Sequence, residues 1–214
     1  MQNTFFQFIQ KGGPFIMVPL LLCSVIAVAV IIERMIALFK ASGDSGRLME
    51  GVRELVMKGD VRGAIELAEN TPGPSAAVVA NGLRNAHLDQ SEIERTMEEL
   101  ALAEVPELSK RLAWLDTIVT LAPLLGLLGT VTGMIRAFHF VGGAGAKNIG
   151  AVTGGVAEAL YATATGLTVA VVSLVFYNFL TDKVREIVGT MELRATQLLN
   201  VLATMRQRET TGIR

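Results

Sequence analysis

The sequence predicts an all-α membrane protein with three transmembrane helices and long cytoplasmic helical extensions. Three observations carry that prediction. Three windows are apolar over about the 20 residues that a bilayer crossing needs. The chain is 51% apolar and 18% charged, against ~25% charged in an ordinary soluble domain. Its Lys and Arg residues fall almost entirely on one side of the implied membrane.

Residues 1–14 are expected to be a periplasmic segment, followed by a first span over 15–39. The core of that span, FIMVPLLLCSVIAVAVII, has no charge. Pro19 here and Pro123 in the second span are compatible with membrane helices, because neighbouring helices re-satisfy the freed carbonyls. The single Cys23 has no partner for an intrachain disulfide and reads as a small buried hydrophobe. LLLC at 20–23 is a poor lipoprotein box, since Leu22 is too large for the position before the cysteine. The apolar run continues through Ile32 without a small-residue cleavage site, which argues against a cleaved signal.

Residues 40–111 are expected to form a cytoplasmic helical segment. GDVRGAIELAEN (59–70) is amphipathic and stops at the TPGP turn of 71–74; SAAVVANGLRNA (75–86) is a second helix, closed at His87. Ser91 with Glu94 matches a capping box and predicts a third helix that runs toward the second span, kinked or restarted at Pro106.

The second span is expected over 112–141, interrupted only by Asp116 near its start and by Arg136 and His139 near its end. GGAGAKN (142–148) reads as a flexible periplasmic turn. It lacks the Ser/Thr that follows the lysine of a phosphate loop and gives no case for ATP. The third span is expected over 149–180. The tail 181–214 keeps helical apolar spacing at Val184, Ile187, Val188, Met191, Ala195, Leu198, Leu202 and Met205, which predicts that the third span continues as one long helix. That stripe is expected to pack against copies of itself or against the second helix.

Orientation follows from the cations. Lys11, Arg136 and Lys147 would lie on one side, and the other sixteen of nineteen Lys and Arg on the other. The richer side is cytoplasmic by the positive-inside bias, so the N-terminus is periplasmic and the C-terminus cytoplasmic. Trp114, Tyr177 and Phe179 then fall at interface depth on the cytoplasmic side.

The third span reads VAEALYATATGLTVAVVSLVFYNFL over 156–180, and its one acid is Glu158. No Lys or Arg lies in that stretch, which predicts a carboxylate without an in-chain counter-charge. An ionised acid within a membrane costs at least about 2.5 kcal/mol, and such residues commonly mark ion paths or relays. Burial disfavours the charged form, and copies of the acid in a ring add mutual repulsion. At about 100° per residue, Ala151, Gly154, Tyr161, Ala162, Thr165 and Val169 share the Glu158 side, while Leu160, Leu167 and Leu174 form an opposite, lipid-facing ridge. In the second span Asp116, Pro123, Gly126, Gly133 and Ala137 cluster around Thr130, and the pairs Gly126/Thr130 and Gly129/Gly133 allow close helix approach. Two competing structural readings are that Glu158 snorkels or bonds a neighbouring helix, and that the threonine hydroxyls bond their own backbone. Asp116 is a candidate for the cytoplasmic entrance.

APLLGLLGTVTGMIRAF (122–138) followed by AEALYATATGL (157–167) closely resembles the ExbB/TolQ/MotA proton-channel family. Three spans, a long insert after the first and a helical tail resemble its ExbB/TolQ branch more than the four-span flagellar stators. The resemblance implies a homopentameric bundle in the cytoplasmic membrane around a dimer of a single-span ExbD/TolR-like subunit, acting indirectly on a TonB- or TolA-like protein. It also implies that Glu158 is the proton-path acid, and that Thr130 and Thr163 are the path threonines. On a straight helix Thr163 points about 140° away from Glu158, and Thr165 is geometrically the nearer companion.

Two other classes stay open on the residues alone: a proton-coupled solute transporter, for which three spans without an inverted repeat are few, and a non-conducting membrane scaffold. Near-neutral net charge gives no case for nucleic acid. No catalytic triad, Cys/His pair or metal-ligand spacing is present, so no enzyme activity and no cofactor or metal are expected; the expected surroundings are lipid and protein partners.

Overall fold

Apolar length decides three of the helices and amphipathic spacing the rest. The computed structural model describes residues 12–43, 45–144 and 149–211. Among these residues the chain forms α1 (Pro14–Ala41), α2 (Ser45–Met57), α3 (Val61–Asn70), α4 (Pro74–Arg84), α5 (Gln90–Leu108), α6 (Leu112–Ala144) and α7 (Ile149–Thr211), with no strand. Helices α1, α6 and α7 are each long and apolar enough to cross a membrane. Lys11, Lys147 and most of the expected 142–148 turn lie outside the described residues, and α6 runs on to Ala144.

The chain divides into two units: residues up to Glu33 with Arg111–Phe179, and Arg34–Lys110 with Leu180 onward. In the first unit the small residues face inward. Ala122, Gly126, Gly129, Gly133 and Ala137 of α6 are buried, as are Ala159, Ala162, Gly166 and Ala170 of α7. Outward stand Leu124, Leu127 and Ile135 of α6, and Leu160, Leu167 and Leu174 of α7, all exposed. Large residues outside and small ones within suit lipid, where helices associate through close backbone approach rather than by hiding apolar surface from water.

The second unit is a helical bundle in which α2 packs on α3, α3 on α4 and α4 on α5. The Asp60 carboxylate accepts from the Gly63 N–H at 2.9 Å and caps α3. The TPGP turn ends where Gly73 adopts φ 117° and Pro74 opens α4, a position where a missing N–H is no loss. The expected Ser91/Glu94 box is corrected. Asp89 takes the N-cap in extended backbone without a side-chain cap bond, so Ser91 already lies inside the first turn. Pro106 sits within α5, which stops at Leu108, and Arg111 at φ 63° turns the chain before α6.

Helix α7 is continuous over 63 residues, including the tail. Of the two partners expected for its apolar stripe, another copy or the second helix, the described residues show packing within the chain. Val184, Ile187, Met191, Leu198 and Leu202 are buried within the chain's own second unit. Leu198 and Met97 press on Gly82 so closely that an added Cβ there would meet their side chains at 2.6 and 2.5 Å. The Arg206 guanidinium donates to the carbonyls of Ala86 and Leu88, and Arg194 donates to the Ser45 hydroxyl at 3.3 Å. The short helices α2–α5 each bury one apolar face, and the tail stripe completes that core.

Candidate functional site

The site is built on the α6–α7 contact. Gly126 and Gly133 let the two backbones approach: an added Cβ at Gly126 would lie 3.1 Å from the Thr163 Cα, and one at Gly133 would lie 2.9 Å from the Gly155 carbonyl oxygen. A Cβ on Gly129 would meet the Ala162 Cβ at 2.4 Å. Gly154 faces open space among the described residues, and the close positions on α7 are instead Gly155 and Gly166, whose Cβ atoms would meet α6 at 2.9 and 2.5 Å. Sequence reading missed both. Their signal was the spacing Gly155/Ala159 and Ala162/Gly166/Ala170, which is the same small-residue repeat one position round from Glu158.

Glu158 is half-sheltered at the edge of this contact, and it has a cation. The Arg136 guanidinium donates to Glu158 Oε1 at 2.6 Å, with side chains 49% and 24% exposed respectively. This overturns the expectation of a carboxylate without an in-chain counter-charge. Arg136 stands eight residues before the end of α6 at Ala144 and Glu158 is the tenth residue of α7, so both lie about 12–14 Å inside the helix ends that face the turn. Antiparallel pairing brings together two charges that are 22 positions apart. On the other side of the acid is the start of α1. Gly13, at φ 77°, sits so near that an added Cβ would lie 2.1 Å from Glu158 Oε1.

The threonines divide into two kinds. Thr163 crosses the contact and donates to the Gly126 carbonyl at 2.9 Å. Thr130 donates to Leu127 and Thr165 to Tyr161, each within its own helix, at 2.7 and 2.8 Å. Thr165, the nearer companion of Glu158 by angle, is thus occupied locally, whereas Thr163 joins α7 to α6. Asp116 is exposed near the start of α6, twenty residues and so about 30 Å along the helix from Arg136; the structure does not bring it to Glu158. His139 is exposed one turn beyond Arg136. Among the described residues no group of His, Cys, Asp or Glu could hold a metal ion.

Chemically, the arrangement is one carboxylate paired with one guanidinium at the edge of a close contact between two small-residue helix faces.

Comparison with known proteins agrees with a helical membrane protein. The profile of the MotA/TolQ/ExbB proton channel family matches residues 70–193. The ExbB-like 3 protein of Synechocystis sp. is 36% identical over 78% of this chain and 80% of its own length. The biopolymer transport protein ExbB of Aquifex aeolicus is 49% identical over 37% of this chain and 54% of its own. The Tol-Pal system protein TolQ of Haemophilus influenzae is 37% identical over 48% of this chain and 46% of its own. The chain thus spans about half the length of the last two relatives. Three membrane-length helices, the small-residue contact that carries Glu158 and these matches lead to one assignment: the chain is a multi-pass membrane protein that belongs to the MotA/TolQ/ExbB proton channel family.

Proposed function

We propose that the chain is the proton-conducting stator subunit of an energy-transducing complex in the cytoplasmic membrane, with Glu158 as the group that takes up and releases protons. The observation that carries this reading is Glu158, the one acid of the expected third span, half-sheltered at the α6–α7 contact, in a chain of a proton channel family. Each proton that crosses delivers about 2.3 kcal/mol per 100 mV. The proposed spans are 15–39, 112–141 and 149–180, with the N-terminal segment 1–14 and the turn 142–148 periplasmic and with 40–111 and the tail 181–214 cytoplasmic, an orientation that rests on the positive-inside bias. Thr130, Thr163 and Thr165 are the hydroxyls proposed along the path, with Asp116 at its cytoplasmic entrance; Gly126, Gly129, Gly133 and Gly154 are the small positions for helix contact. The chain's likeness to ExbB and TolQ proteins supports a membrane complex with an ExbD/TolR-like subunit that passes work to a TonB- or TolA-like protein; the assembly proposed is a homopentamer around a dimer of that single-span subunit.

The 2.6 Å ion pair favours a second reading, in which Arg136 and Glu158 form only a clasp between helices of a scaffold. Proton transfer requires that the pair open. Glu158→Gln keeps the shape and a hydrogen-bond acceptor but cannot titrate. Loss of proton-driven output in cells, with the protein still inserted and assembled, is expected; wild-type output would leave the clasp alone standing.

A further inference from the structure

We propose that Arg136 is a positioning residue that acts as an in-chain latch on Glu158, keeping the acid paired and closed to protons until an acidic group from a neighbouring span draws the guanidinium away. The proposal rests on the reading of Glu158 as the proton carrier and adds its regulation.

The geometry supports a latch more than a permanent clasp. The two partners are unequally sheltered: the acid is 24% exposed and the arginine 49%. The cation is therefore the member that something outside the chain can reach. The two also sit on different helices, so their separation needs only a rotamer change of the long arginine or a small slide of α6 on α7. The contact between these helices is made of glycine and alanine surfaces, which carry few interlocking side chains to oppose a slide.

The groups around the acid among the described residues are few. From α6 it meets Arg136, with His139 exposed one turn further along; from α7 its nearest titratable neighbour along the helix is the exposed Tyr161; and just before α1 the backbone of Gly13 approaches it. Arg136 is thus the one cationic side chain among the described residues in contact with Glu158.

The step balances simply. Arg136 keeps its proton throughout, since guanidinium does not deprotonate in proteins. When an incoming carboxylate pairs with Arg136, Glu158 loses its counter-charge, and one proton from water adds to its carboxylate to give the neutral acid. When the proton leaves toward the other side and the foreign carboxylate withdraws, the original pair re-forms. Such an exchange couples proton entry to the position of the neighbouring span, so that an idle complex does not leak.

The test uses the complex as isolated from its membrane, reconstituted into vesicles with a pH-sensitive dye inside, and reads resting proton entry under an imposed gradient across a range of pH. Arg136→Gln is expected to raise resting entry about tenfold, which corresponds to about 1.4 kcal/mol off the barrier, and to move half-maximal flux to higher pH. Arg136→Lys keeps the charge but not the guanidinium fork, and is expected to leak more than wild type and less than Arg136→Gln, with a smaller shift of the pH profile in the same direction. The double variant Arg136→Gln/Glu158→Gln should be silent. Intact assembly with wild-type resting entry and an unmoved pH profile in both Arg136 variants would overturn the latch. If Arg136→Gln does not assemble, the Arg136→Lys profile decides: an unchanged profile overturns the proposal. Failure of the underlying reading looks different, because Glu158→Gln alone would then conduct like wild type.

Discussion

The Thr163 hydroxyl donates to the Gly126 carbonyl across the α6–α7 contact at 2.9 Å. Membrane hydrogen bonds of this kind contribute about 0.6 kcal/mol on average and up to ~1.7. Thr163→Val keeps the branched shape and removes the donor, so unfolding of the purified protein in detergent should show a loss within that range. Thr165→Val should cost less, because its hydroxyl serves the Tyr161 carbonyl of its own helix. Equal losses would contradict the assignment of Thr163 as the crossing residue.

Gly166 lies against backbone. A Cβ there would sit 2.5 Å from the Ala122 carbonyl oxygen, which cannot rotate away, so Gly166→Ala must push α6 and α7 apart. Overpacking of this kind costs about 1–3 kcal/mol, seen as a lower midpoint in detergent. Gly154→Ala is the informative control, since nothing stands within 4 Å of that position in this chain. Unchanged stability of the single chain is expected. Loss of assembly in that variant would locate Gly154 at a contact between copies.

Arg34 is 7% exposed and donates to the Glu107 carbonyl at 3.1 Å, in the last turn of α5. Hydrogen bonds from charged groups contribute about 1.5–3 kcal/mol. Arg34→Met should therefore loosen the end of α5, read as faster amide hydrogen exchange over residues 105–110. Protection equal to wild type would show that Arg34 does not hold this turn.

The Lys58 ammonium hydrogen-bonds Glu54 at 2.5 Å, and this bond, with the attraction of opposite charges, holds the Glu54 carboxyl below its ordinary range. The stabilisation is fully present above the ordinary glutamate range and is lost as pH falls through the lowered folded value. Both groups are exposed, so the effect is small. Glu54→Gln should remove a little of the acid-side loss of stability and leave proton-driven output at neutral pH unchanged. A variant whose acid unfolding is steeper than wild type would contradict that sign.

Much of the fold was legible, for identifiable reasons. Span length, the Asp60-led helix and the continuity of α7 through the tail all follow from local patterns, and the structure realises each. What failed was pairing between distant segments. Arg136 reads in sequence as a cation near a span end, and only the register of the α6–α7 hairpin brings it to Glu158. The packing face of α7 was centred on Glu158 and so selected Gly154, while the buried centre runs through Ala159, Ala162 and Gly166. In a membrane helix, periodicity cannot separate a small face toward protein from one toward a path, because neither side is water. At α5, Asp89 as N-cap displaced the Ser91 box; both residues are good caps, and only backbone conformation chooses between them.

The central claim is that Glu158 carries the protons. The most direct measurement is dye-reported proton flux into vesicles that hold the complex with its copurifying membrane partner, comparing wild type with Glu158→Gln and Glu158→Asp. Flux that vanishes in the glutamine variant and is partly retained in the aspartate variant is the predicted result. Undiminished flux in the glutamine variant, with equal amounts of assembled protein, would contradict the account.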